Sequence, residues 1–278
     1  MSIAYYNGEL QEKKNIRISL SDRAIFFGDG IYDAAIGKGE KIYLEEEHIN
    51  RFFDNARKLN IPVTFTKTEL SKMLKSTILA NKFEQYFVYF QLTRTSQERL
   101  HAYPDNQKSN ILITVKRHEL PSPKKQLKLV TRADDRYFMC DIKTLNLLPA
   151  VLASRAAVEA GCDEAVFVRG STVTECAHSN VSIIKDGMLY THPKTNLILP
   201  GITRERMLFI CKRVGIPYTE RPFDRNELFS ADEILVSSTT KLLMRASHLD
   251  GFSVGCRDNK TSKKLIYAMR KDFFDAIR

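Results

Sequence analysis

Apolar positions in this chain follow two spacings, and the switches between them lay out its elements. Tyr86-Phe87-Val88-Tyr89-Phe90-Gln91-Leu92-Thr93 and Ile111-Leu112-Ile113-Thr114-Val115 are dense in aromatic and branched side chains, which predicts central strands. Shorter runs predict strands over 127–130, 164–168 and 234–240. Residues 1–17 read as a hairpin turning at Asn7-Gly8, with further turns at Gly37-Lys38-Gly39-Glu40 and Lys185-Asp186-Gly187-Met188. Ile49, Phe52, Phe53, Ala56 and Leu59 recur at helical steps behind Glu45-Glu46-Glu47, so 45–59 predicts a helix with acids where its dipole favours them. A second helix is expected over 69–81. Pro149 suits a first helical turn and places a helix over 151–160, while Gly201-Ile202-Thr203 opens one that runs to Arg213.

Glu119-Leu120-Pro121-Ser122-Pro123-Lys124-Lys125 breaks the pattern, because two prolines and a basic pair continue neither strand nor helix. Domains are therefore expected over 1–119 and 126–278, joined by a linker at 120–125. With 278 residues, 43% of them hydrophobic, the chain can bury a full core. No apolar run approaches the roughly 20 residues that span a bilayer, and residues 1–8 lack a signal-peptide pattern. The expectation is a cytoplasmic protein with no membrane partner. Cys140, Cys162, Cys176, Cys211 and Cys256 are odd in number, widely spaced and free of CxxC pairs. That argues for reduced thiols, mostly buried, and against a disulfide framework or a metal site. The net charge of +10 is spread among interleaved acids with no nucleic-acid motif, which points to a few anion-binding arginines rather than a nucleic-acid partner.

Candidate chemistry begins with Lys143 in Cys140-Asp141-Ile142-Lys143-Thr144-Leu145-Asn146, a lysine among mostly apolar or small neighbours just before the Pro149 helix. A desolvated lysine gives up part of its preference for charge and becomes a nucleophile toward carbonyls; the plainer reading is a surface lysine at a strand end. Glu175 interrupts an apolar strand pattern and, if buried, needs a cationic partner. Gly28-Asp29-Gly30 demands a tight loop and delivers Tyr32 onto the next strand, either toward a site or packed beneath a hairpin. Arg99 and His101 stand at alternate positions in a polar loop over 94–108 and could grip a carboxylate. The N–H groups at Gly201-Ile202-Thr203 and the hydroxyls of Ser237-Ser238-Thr239-Thr240 are two cradles for an anion such as phosphate. Lysine, glutamate and two cradles within one domain are the set that a pyridoxal phosphate site requires.

From end to end the motifs resemble the fold-type IV pyridoxal-phosphate enzymes, and among them the bacterial D-amino acid aminotransferases. They are Phe27-Gly28-Asp29-Gly30-Ile31-Tyr32, Glu47-His48-Ile49-Asn50-Arg51, Tyr89-Phe90-Gln91-Leu92-Thr93-Arg94, residues 140–148, Thr172-Val173-Thr174-Glu175, Lys185-Asp186-Gly187, Leu189-Tyr190-Thr191-His192-Pro193, Gly201-Ile202-Thr203-Arg204 and Ser238-Thr239-Thr240. The resemblance implies an α+β fold with a small N-terminal α/β sandwich-like domain and a larger C-terminal pseudo-barrel domain carrying helices. It implies that Lys143 forms the Schiff base with pyridoxal 5'-phosphate and that Glu175 pairs with the ring nitrogen. Arg51, Ile202, Thr203, Ser238 and Thr239 match the phosphate cup, and Leu199 the apolar residue beneath the ring. Tyr32, Arg99 and His101 match the trap for the substrate carboxylate, the last two reaching in from the neighbouring subunit of a homodimer. Arg136 matches an arginine near the site with no role assigned. The implied activity is ping-pong transfer of an amino group between D-amino acids such as D-alanine and D-glutamate and 2-oxo acids.

Two stretches depart from those relatives: Cys176-Ala177-His178 after Glu175, and Lys241-Leu242-Leu243-Met244-Arg245 after Thr240. A Glu-Cys pair is similar to the aminodeoxychorismate lyases, the main rival, which the Arg99 and His101 pair argues against. Branched-chain L-amino acid aminotransferases lack that Arg-x-His trap. A basic binding protein without catalysis would show no yellow cofactor and would bind nucleic acid with strong salt dependence.

Overall fold

The computed structural model describes residues 2–103 and 108–278, so the middle of the expected 94–108 loop lies outside the described residues, as does Met1. The chain divides into two compact units. The first holds Met1–Glu119, Ile142–Asn146 and Ala276–Arg278; the second holds Leu120–Asp141 and Leu147–Asp275.

In the first unit, in chain order, are β1 (Ile3–Tyr6), β2 (Glu9–Glu12), α1 (Arg23–Phe27), β3 (Gly30–Lys38), β4 (Lys41–Ile42), α2 (Glu45–Lys58), α3 (Lys67–Asn81), β5 (Gln85–Thr93) and β6 (Asn110–Arg117). The sheet order is β2-β1-β6-β5-β3-β4, antiparallel at every pairing, with β5 and β6 at its centre. Tyr86, Val88, Phe90 and Leu92 alternate into the core of β5, because side chains on a strand point to opposite faces in turn. They meet Ile49, Phe52 and Ala56 of α2 and Leu70, Leu74 and Ile78 of α3. Burying a side chain such as Phe52 contributes roughly 1.5–3 kcal/mol. The opening hairpin turns at Asn7 and Gly8, both at positive φ, but ends at Glu12, where a 3-10 turn over Lys13–Asn15 follows. α3 starts two residues ahead of expectation, because Thr66 and Glu69 form a capping box.

The second unit contains β7 (Leu127–Ala133), α4 (Leu148–Glu159), β8 (Glu164–Arg169), β9 (Thr172–Cys176), β10 (Asn180–Lys185), β11 (Met188–Thr191), α5 (Ile202–Val214), β12 (Tyr218–Glu220), β13 (Phe223–Asp224), α6 (Arg225–Ser230), β14 (Glu233–Ser238), β15 (Leu242–Leu249), β16 (Phe252–Ser253) and α7 (Asn259–Ala276). Its sheet runs β12-β11-β10-β14-β15-β7-β8-β9-β13, with β16 beside β15. β7 and β8 are parallel, which requires a crossover, and α4 supplies it. One core cluster centres on Val166, Val173, Val181 and Val236; a second gathers Met207 and Ile210 of α5 with Leu265 and Met269 of α7.

The continuous block expected over 126–278 is not kept: Ile142–Asn146 groups with the first unit. The cause is backbone pairing, since Tyr32 N–H donates to Lys143 O at 3.0 Å and Leu145 N–H to Gly30 O at 3.1 Å. The thiols need a correction too. All five are free, but only Cys176 and Cys211 are buried; Cys140 and Cys162 are half-buried and Cys256 is exposed, at positive φ. Among the described residues no helix is long and apolar enough to cross a membrane.

Candidate active site

Lys143 is half-buried, and its pairing along β3 places Nζ 4.4 Å from the centre of the Tyr32 ring. Tyr32 stacks on Tyr89, ring centres 5.4 Å apart, and the Tyr89 hydroxyl donates to Gln91 at 2.8 Å. The close fit needs glycine: a Cβ on Gly30 would stand 2.6 Å from Leu92 O and 2.7 Å from a Leu145 methyl, while Gly28 ends α1 at φ 61°.

Next along β3, Asp33 is fully buried and receives Arg51 through Nε and Nη2, both at 2.8 Å, and lies 2.8 Å from His48 Nδ1. Burial alone would raise the Asp33 pKa, but Arg51 and His48 outweigh it and hold the carboxyl well below its ordinary range. Burial lowers the pKa of His48 below its usual value against the pull of Asp33, with Arg51 and Lys143 adding to the lowering. Arg51 is thus oriented by a buried fork from Asp33. Asp33 and His48 escaped the sequence reading, although a charge inside an apolar strand was the same signal that singled out Glu175.

Arg99 and His101 are exposed and lie against one ring, that of Phe27, each 5.3 Å from its centre. Their loop is carried by two buried arginines that share Asp29: Arg23 Nε donates at 2.8 Å and Arg94 Nε at 2.9 Å.

In the second unit Glu175 is buried and has the cationic partner its burial demands, Arg136, which donates from Nη1 to Oε1. Oε2 accepts from Asn180 Nδ2 at 2.9 Å and from Leu199 N–H at 3.1 Å. Arg136 also forks onto Asp134, at 2.8 and 2.9 Å, and lies over the Phe167 ring. Burial opposes the charge on Arg136, yet Asp134 and Glu175 prevail and raise its pKa further. Burial likewise pushes Asp134 up, and the Arg136, Arg169 and Thr174 hydrogen bonds bring it down to about 2.

Leu199, three residues before α5, is therefore tied by its backbone to Glu175. α5 is capped by Gly201 with no side-chain hydrogen bond, leaving the N–H groups at Ile202 and Thr203 to serve an anion. A Cβ at Gly201 would fall 2.0 Å from Asn180 Oδ1. Ser238 ends β14, and its hydroxyl lies 3.5 Å from that of Thr240; Thr239 is half-buried in the same turn. Asn180 was not foreseen, and Arg136 was foreseen without its role.

A half-buried lysine held against β3 and, in the second unit, a buried glutamate paired with an arginine are the kinds of side chain that group-transfer enzymes use. The chain belongs to the amino-transferase class IV family, whose model matches residues 30–249. It is similar to the D-alanine aminotransferase of Listeria monocytogenes, 38% identical over 253 residues, covering 89% of this chain and 88% of that one. It is also similar to that of Staphylococcus epidermidis, 36% identical over 257 residues and 91% of each chain. Among solved structures, the branched-chain amino acid aminotransferase from Escherichia coli superposes with a TM-score of 0.90, covering 100% of this chain and 96% of that one at 22% identity. The fold is that of the fold-type IV aminotransferases.

Proposed function

We propose that this protein is a pyridoxal 5'-phosphate-dependent transaminase that moves an amino group between D-amino acids and 2-oxo acids. The observation that carries the chemistry is Glu175, a buried carboxylate paired with Arg136 and oriented by Asn180. The choice of D-amino acids rests on the relatives at 38% and 36% identity, both D-alanine aminotransferases.

The residues present fit that cofactor. Arg51, the α5 N–H groups of Ile202 and Thr203, and the Ser238 and Thr239 hydroxyls would hold its phosphate, Leu199 would pack against its ring, and the Lys143 amine would anchor it. When bound, the cofactor supplies an aldehyde that takes up the amino group and a protonated ring that draws electrons from the substrate Cα–H bond. Glu175 keeps a proton on the ring nitrogen, since a charged acceptor stabilises the protonated form. Lys143 moves the proton away from Cα. Tyr32, Arg99 and His101 bind the substrate carboxylate, and where they hold it decides which α-hydrogen meets the amine.

We also propose a cytoplasmic homodimer. Arg99 and His101 are exposed within one chain, which suits side chains that serve the site of a second copy. The Glu-Cys signal of the lyases reduces to packing: Glu175 and Cys176 point to opposite faces of β9, and Cys176 belongs to a hydrophobic core.

The test is direct. Purified protein should absorb visible light as a lysine-bound pyridoxal enzyme, and Lys143→Ala should abolish the band. D-alanine with 2-oxoglutarate should give pyruvate and D-glutamate; turnover of L-amino acids alone would remove the D-specific reading, and pyruvate from aminodeoxychorismate without an amino acceptor would select the lyase.

A further inference from the structure

Arg23 is a buried cation with no part in the chemistry above, 4% exposed at the start of α1. Its guanidinium spans three acceptors: Asp29 Oδ2 through Nε at 2.8 Å, Leu100 O through Nη1 at 2.5 Å and His101 O through Nη2 at 3.1 Å. It lies 4.8 Å from the centre of the Phe27 ring, the same ring that Arg99 and His101 flank. Asp29 sits three residues before Tyr32, between the two glycines, and is braced by Arg94, which in turn donates to Asn60 O and Leu59 O at 2.7 and 2.8 Å.

We infer that Arg23 is a positioning residue for the substrate carboxylate, fastening the loop that presents Arg99 and His101 to a second copy's site onto its own chain's Asp29 turn. This rests on the carboxylate role proposed for Arg99 and His101. The geometry favours the role because the Arg23 fork grips the main chain at two consecutive residues, one of them His101 itself and the other the neighbour of Arg99. A planar fork with five fixed donors can satisfy a carboxylate and two carbonyls at once, which a lysine ammonium on a flexible stem cannot. Losing the fork leaves the loop free to sample positions in which its cations miss the carboxylate, so binding weakens before chemistry does.

The experiment compares Arg23→Met, Arg23→Lys and Arg99→Met holoenzymes and the Arg23→Met/Arg99→Met double variant. Arg23→Met is expected to raise KM for D-alanine and 2-oxoglutarate by about tenfold with kcat changed less than about twofold, and Arg23→Lys to fall in between. The double variant should exceed the KM of Arg99→Met by a smaller factor than Arg23→Met exceeds wild type, since Arg23 acts through Arg99 as well as through His101. KM effects that multiply, or an unchanged KM in Arg23→Met, overturn the inference. Trypsin cleavage after Arg99 supplies a readout free of activity: it should quicken in Arg23→Met, and an unaltered rate overturns the inference whatever Arg99 does. If Arg99→Met leaves KM unchanged, the carboxylate reading itself fails, and the trypsin rate still decides whether Arg23 holds the loop.

Discussion

Arg136 and Glu175 form a buried ion pair, Nη1 donating to Oε1, within a network that continues to Asp134 and Asn180. A buried carboxylate without such a partner would take up a proton, and a neutral acid could not hold a proton on a ring nitrogen. Glu175→Gln keeps the shape and removes the charge, so kcat for D-alanine transamination should fall on the order of 10²-fold or more with KM changed far less. Arg136→Met removes the cation that Glu175 and Asp134 share, leaving Asp134 to Arg169 and Glu175 to neutral donors, and should destabilise the protein by about 3–5 kcal/mol in urea unfolding.

Gly201 caps α5 where a methyl group would fall 2.0 Å from Asn180 Oδ1. Asn180 donates to both Glu175 and Leu199 O, so Gly201→Ala must displace the side chain that orients the glutamate. The cost should be about 1–3 kcal/mol of stability, typical of forcing atoms into a packed site. Equilibrium dialysis should also show weaker pyridoxal phosphate retention, and wild-type retention with a wild-type melting temperature would refute the account.

The strands of the first unit were legible because β5 and β6 are dense in aromatic and branched residues and their alternation matches one buried face. The α2 helix showed itself by apolar steps of three and four and by the acids in its first turn. The grouping of Lys143 with β3 was not legible, since it depends on two long-range backbone hydrogen bonds that leave no local pattern. The same holds for Arg136: its partner is 39 residues away, and only the demand for a cation beside Glu175 could be read from the chain. Asp33 is a different case, because a carboxylate among Ile31, Ala34 and Ala35 was visible evidence of a buried pair.

His48 is buried against Asp33, and burial lowers its pKa below the ordinary 6.5. The unfolded chain therefore binds a proton at this position at a pH where the folded chain does not. The stabilising contribution is present above about pH 6.5 and is lost as pH falls below it. His48→Gln should flatten that part of the stability profile. Urea midpoints between pH 7.5 and 5.5 would check it, and an equal slope in both proteins would place the acid sensitivity elsewhere.

The two departures from the D-amino acid relatives prove to be one cluster. Glu164 is buried, and its carboxylate meets Lys241 Nζ at 3.0 Å, His178 Nδ1 at 2.9 Å and the Ser179 hydroxyl at 3.0 Å. Burial pushes the Glu164 pKa up, but His178 and Lys241 together bring it below the usual value, so the carboxylate is charged and depends on them. Lys241→Ala should cost about 3–5 kcal/mol, because it strands a buried charge. The second change Glu164→Gln removes that charge and should recover part of the loss. A double variant less stable than Lys241→Ala would show that the pair is not what holds Lys241 in place. His178→Ala should cost less than Lys241→Ala, since the His178 side chain is 52% exposed against 18% for Lys241.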